Sequence, residues 1–161
     1  MNDGLVDAFR YNAWATRELL RFCAALPGEA MDATTVGTAG SIRRIFEHIL
    51  EAESYYLYLL TGEKRDWRWE PDCGTMVAAL EEAAAVLAEA WDELLQTPID
   101  ADAVFVRVEP WKDRAGIVIV QAIHHGNVHR EQVNMILTSL AIEPPDLDVW
   151  SFDRATGTTH S

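Results

Sequence analysis

His125 and His129 stand four residues apart in a segment of helical period, and that spacing is the most chemically informative feature of the sequence. At 100° per residue the two side chains differ by about 40° around a helix axis and by roughly 6 Å along it, so both imidazoles can reach one ion. Imidazole is a borderline ligand that suits Zn, Ni, Fe and Cu. His48 sits among Ile45, Ile49 and Ala52, at the margin of an apolar stripe, where it would look into a helical bundle. Three histidines from two helices leave an ion one or more open positions, the arrangement of catalytic rather than structural zinc. Spacing alone keeps a second reading open, in which His48 is a hydrogen-bonded core residue and the pair binds nothing. His124 points about 100° away from His125, and His160 lies near the end of the chain.

Four helices must position these side chains. Residues 3–26 carry Leu5, Phe9, Ala13, Leu19, Leu20 and Cys23, and Pro27-Gly28 stops the run. A loop rich in Thr, Gly and Ala leads to Ser41, a helix N-cap, and residues 41–61 follow with Ile42, Ile45, Phe46, Ile49, Ala52, Tyr56 and Leu60 at steps of three and four. A polar crossing with Trp67, Trp69 and Pro71 ends at Thr75, which opens a helix over 75–96. Residues 104–108 break the helical rhythm and predict one half of a short hairpin turning around Trp111 to Gly116. The last helix spans 117–140 and carries the histidine pair. Such a pattern predicts an all-α four-helix bundle, with the topology left open by the long second connection. The expected organisation is a single domain over 1–153 and a flexible tail over 154–161.

The 161 residues suit one domain, and 49 % hydrophobic with 24 % charged residues supports a packed core. With 26 acidic against 13 basic side chains the formal charge is −13, and no basic stripe offsets it, which excludes nucleic-acid binding through a cationic face. No apolar run of about 18 residues predicts a membrane span, and the N-terminus lacks the pattern of a secretory signal. The expected location is therefore the cytoplasm, with Cys23 and Cys73 both reduced. Cys23 reads as a small core residue, and Cys73, beside Gly74, as a loop position with nothing nearby to make it a nucleophile.

The run from Gln121 through His125, His129 and Arg130 to Gln132 resembles the His-x-x-x-His-Arg-Gly-Gln signature of the DinB-like (YfiT-like) metal-binding family, with Glu131 in place of the usual glycine. Tyr11-Asn12-Ala13-Trp14-Ala15-Thr16 resembles its first-helix motif, Phe46 to Tyr55 its second-helix histidine segment, and Leu140 to Trp150 its closing motif. The resemblance covers nearly the whole chain in order. It implies a four-helix bundle, often a homodimer, holding a divalent ion on His48, His125 and His129, with Zn or Ni expected. It also implies either metal-dependent hydrolysis or transfer and isomerisation with a low-molecular-weight thiol such as bacillithiol, mycothiol or glutathione. A non-catalytic, stress-associated metal-binding module is the alternative.

Hydrolysis would require a general base near the ion. Glu51, three residues past His48, could reach the edge of the site, but it is expected, like Glu47 and Glu131, as a solvated surface carboxylate. Tyr55 returns to within roughly 20° of the His48 face and could line a pocket. Thiol transfer would require a cation for an anionic cofactor, for which Arg44 and Arg130 are placed, though a surface ion pair is the expected state of Arg44. A homodimer is further expected because Trp14, Leu19 and Leu20 cannot all face one core with Phe9 and Cys23. None of these residues is assigned a catalytic role.

Overall fold

The computed structural model describes residues 3–69, 73–108 and 110–157. Four long helices form the bundle: α1 (Asp3–Ala24), α2 (Ile42–Thr61), α3 (Cys73–Leu95) and α4 (Ala115–Ser139). A 3-10 helix over Gly28–Asp32 follows α1, the hairpin β1 (Val104–Val108) and β2 (Trp111–Arg114) precedes α4, and α5 (Val149–Thr156) closes the described chain. In cross-section α1 packs on α3 and α4, and α2 packs on α4 and α3, so α1 and α2 stand on one diagonal. The connection from α1 to α2 therefore crosses the bundle end, and α2 and α4, the two histidine-bearing helices, become direct neighbours.

Local chemistry fixes the ends of α2. Ser41 caps its first turn by accepting from the Arg44 N–H, and Gly62, at φ 77°, takes the left-handed conformation that closes it. The core between helices holds Leu19, Leu20, Phe46, Ile49, Leu57, Leu80, Leu87 and Ile136, all fully buried. Each such side chain contributes roughly 1.5–3 kcal/mol on leaving water.

Three details differ from the sequence expectations. Trp111 to Arg114 form the second strand rather than a turn, antiparallel to β1, and α4 begins at Ala115 with no intervening loop. Residues 149–156 are helical, so α5 takes in part of the expected tail. Asp148 caps α5 by accepting from Ser151 N–H at 2.6 Å. The helix buries no side chain of its own, and docks through Phe152 against Tyr11 and Trp14 of α1, with ring centroids 6.0 and 5.6 Å apart. Finally, Phe9, Leu19, Leu20 and Cys23 are all buried within one chain, and Trp14 is covered by α5. The breadth of apolar residues around α1 thus reflects three neighbouring helices, and gives no argument for a partner.

Among the described residues no helix is long and apolar enough to cross a membrane. Pro71 and His160 lie outside the described residues, as does the side chain of Cys73, whose backbone opens α3. Cys23 is buried and free, and burial pushes its thiol up to about 12, which removes it as a nucleophile at neutral pH.

Candidate metal centre

His48 from α2 and His125 and His129 from α4 converge, with one nitrogen of each within 4.8 Å of the others. The His125 and His48 Nε2 atoms face each other at 3.1 Å. Ring centroids are 4.8 Å apart for His48 and His125, 4.6 Å for His48 and His129, and 4.3 Å for His125 and His129. Two nitrogens each at 2.0–2.1 Å from a tetrahedral ion stand about 3.3 Å apart. The His48–His125 pair is close to that spacing and all three donors lie within 4.8 Å of one another, so the donor set is compatible with a divalent metal ion. No carboxylate or thiol joins the three within that reach among the described residues. His124, next in sequence to His125, is exposed and outside the cluster.

The tautomer of His129 follows from a neighbour. The Ala39 N–H donates to Gln132 Oε1 at 3.0 Å, and the same oxygen lies 3.1 Å from His129 Nδ1. An oxygen already accepting from a backbone N–H can only accept again, so Nδ1 carries the proton and the Nε2 lone pair is left for an ion. Gln132 also ties the loop before α2 to α4. His125 has no such support: its Nδ1 is buried without a partner. Burial pushes His125 down to about 4, helped by His129 and His48, and burial likewise lowers His129 against the opposing bond to Gln132. Both rings are therefore neutral at pH 7, the state in which imidazole binds metal.

Behind the cluster lies a buried polar network. Arg130, 3 % exposed, donates from Nη1 to Asn12 Oδ1 at 2.9 Å and Thr16 Oγ1 at 2.8 Å, and from Nη2 to Asn127 Oδ1. Asn12 Nδ2 donates in turn to Glu53 Oε1 at 2.8 Å, and Glu53 is itself buried. Burial raises the Glu53 carboxyl, opposed by the Asn12 bond and the charge of Arg130. Gly126 makes room for this network, because a Cβ there would lie 2.5 Å from Asn12 Oδ1 and 2.9 Å from Arg130 Nη1. Arg130 is thus committed to joining α1 and α4, and is no docking point for an anionic cofactor.

The remaining candidates sort by their contacts. Glu47, expected in solvent, is 7 % exposed and accepts from Arg44 Nη1 at 2.8 Å; the correction arises because α2 has neighbours on two sides. Arg44 is a surface ion pair, as expected. Glu51 accepts from the Trp69 indole at 2.7 Å, and Glu131 is exposed. Tyr55 is exposed, and its ring contacts among the described residues are with Tyr56 and Tyr58, away from the histidines. It is Tyr56 that faces the cluster, edge-on to His125 with centroids 5.8 Å apart, and its hydroxyl accepts from Gln121 at 3.4 Å. Sequence spacing assigned Tyr56 to the core, against which it does pack, and left Gln132 without a role. A signal for Gln132 existed, since it follows His129 by one helical turn.

A family model described as the DinB family matches residues 1–160. The fold is similar to the crystal structure of a DinB-like protein from Bacillus cereus ATCC 10987, at 17 % identity over 90 % of this chain and 96 % of that one, with a TM-score of 0.65. No curated protein matches this chain.

Proposed function

The chain belongs to the DinB family, and from that premise we propose that it holds a divalent transition ion, Zn or Ni, on His48, His125 and His129 and acts on a small molecule with the help of a low-molecular-weight thiol. The observation that carries this reading is the convergence of three nitrogens from two helices, with His125 and His129 held neutral by burial and no fourth protein ligand among the described residues. An ion held there supplies Lewis acidity at an open position, enough to lower the pKa of a bound thiol or water.

The surrounding side chains favour the thiol over hydrolysis. Hydrolysis calls for a protein base beside the attacking water, and the nearby acids are engaged elsewhere, Glu47 with Arg44 and Glu51 with Trp69. A thiol starts from a pKa of about 8.5, far below that of water, so an ion at this site would ionise it with less help from a protein base. Tyr56, held by Gln121 and edge-on to His125, offers a hydroxyl beside the site to orient a small ligand. Self-association as a homodimer belongs to the same proposal, supported by the apolar ridge of Ile117, Val120, Val128 and Met135 left exposed along α4.

Metal analysis of the purified protein, followed by thermal-shift titration with bacillithiol, mycothiol and glutathione, tests the reading. Binding stabilises by mass action, so one thiol should raise the melting temperature of the metal-loaded protein and leave the chelated protein unchanged. Metal without any thiol response, together with turnover of ester or amide substrates, would move the assignment to a hydrolase. Metal with neither would leave a binding module.

A further inference from the structure

A sizeable cavity of the described structure lies away from the histidines. It is a cleft of about 1020 Å³ between α1, α3 and α5. Its floor is the Phe9–Trp91 pair, with centroids 4.3 Å apart, and its wall is Trp14 packed on Phe152 at 5.6 Å. Trp150, 72 % exposed, stands at the rim. Cleft volumes of about 300–1,000 Å³ with mostly apolar walls are those of small-molecule sites.

The charges around this aromatic lining are unbalanced. Two of its three arginines are neutralised in place, Arg10 by Asp92 at 2.8 Å and Arg21 by Glu18. The lining then retains Arg17 against Asp7, Glu89 and Asp153, none of which has an ion pair among the described contacts, an excess of two negative charges. Indole and phenyl faces are themselves electron-rich and attract cations. Charge and quadrupole therefore select in the same direction.

We propose that the cleft between α1, α3 and α5 is a second ligand site, for an organic cation with an aromatic or apolar body, such as a quaternary ammonium compound. The indoles of Trp14 and Trp150, both in the lining, receive the cation, and Asp153 and Glu89 supply the counter-charge. The site is built without any of the three histidines, so it does not rest on the metal reading. Because α5 forms one wall, ligand binding also fastens the C-terminal helix to α1.

Calorimetric titration with benzyltrimethylammonium tests this, against its neutral isostere neopentylbenzene and the anion phenylacetate. The cation should bind at least tenfold more tightly than either, with the same affinity in chelated and metal-loaded protein. Trp150→Ala, at an exposed position that leaves the core intact, should weaken the cation at least fivefold, and the double variant Glu89→Gln, Asp153→Asn should do so while leaving the neutral isostere unchanged. Equal or tighter binding of phenylacetate or neopentylbenzene would overturn the proposal. So would loss of cation binding on chelation, or a dimer whose formation Trp150→Ala abolishes, since a second copy would then be the occupant.

Discussion

Gln132 Oε1 lies 3.1 Å from His129 Nδ1 and accepts the Ala39 N–H with the same atom, so one amide oxygen sets both the tautomer of a candidate ligand and the position of a loop. Outer partners of this kind change metal affinity by about 10–100-fold when removed. Gln132→Ala should weaken metal binding within that range, measured by competition with a chromophoric chelator. Gln132→Glu keeps the acceptor and should retain most of the affinity. An alanine variant with unchanged affinity would mean that His129 is oriented by packing alone.

His48, His125 and His129 should each be required for full metal content. His129→Ala removes one arm of the α4 pair, and His48→Ala removes the link between α2 and α4. Each substitution should lower bound metal, measured by elemental analysis, at least tenfold, while His124→Ala stays near wild type because that side chain faces solvent. None of the three histidines is among the buried core residues, so circular dichroism should show a folded bundle in every variant.

The metal-free protein should lose stability as pH falls. His125 has its pKa held down to about 4 in the fold, against 6.5 for an ordinary histidine. Between those values the unfolded chain binds more protons than the folded one, so stability declines on going from pH 6.5 toward pH 4. His129 acts in the same direction. Thermal melts of the chelated protein should show this slope, and His125→Gln should flatten it.

Gly126→Ala adds a methyl group that cannot fit beside Asn12 Oδ1 and Arg130 Nη1 without displacing them. Overpacking of this kind costs about 1–3 kcal/mol. A lowered melting temperature, with the loss carried by the metal-free protein as much as by the loaded one, would place the damage in the α1–α4 contact.

What was legible in the sequence is what local geometry dictates. The relation of His125 to His129 is fixed by 3.6 residues per turn, whatever else the chain does. That His48 meets them depends on α2 packing beside α4, which periodicity cannot specify; the family resemblance supplied it. Glu47, expected in solvent, is buried for a reason that also holds for Arg130. A helix in this bundle is covered on two sides, so residues about 100° from the core stripe can still be buried. The helix α5 escaped notice because eight residues do not form a stable helix on their own. What orders them is the docking of Phe152 on Tyr11 and Trp14, a tertiary contact.

Arg130 gives the sharpest separation between a structural and a cofactor-binding role. Its guanidinium satisfies Asn12, Thr16 and Asn127, and its charge balances Glu53 across Asn12. Replacing it with methionine removes the cation that opposes the desolvation of Glu53 and leaves several buried acceptors without donors, a loss of about 1–3 kcal/mol for each orphaned group. Arg130→Lys keeps the charge but not the fork of donors, and should lie between methionine and wild type. Glu53→Gln keeps an acceptor for Asn12 while leaving Arg130 charged, and should cost less than Arg130→Met. In the double variant Arg130→Met, Glu53→Gln part of the loss should be recovered, because the orphaned carboxylate is gone. Urea denaturation measures all four. If Arg130 instead anchored an anionic thiol, Arg130→Lys would reduce thiol affinity and leave stability near wild type, the reverse of what its burial predicts.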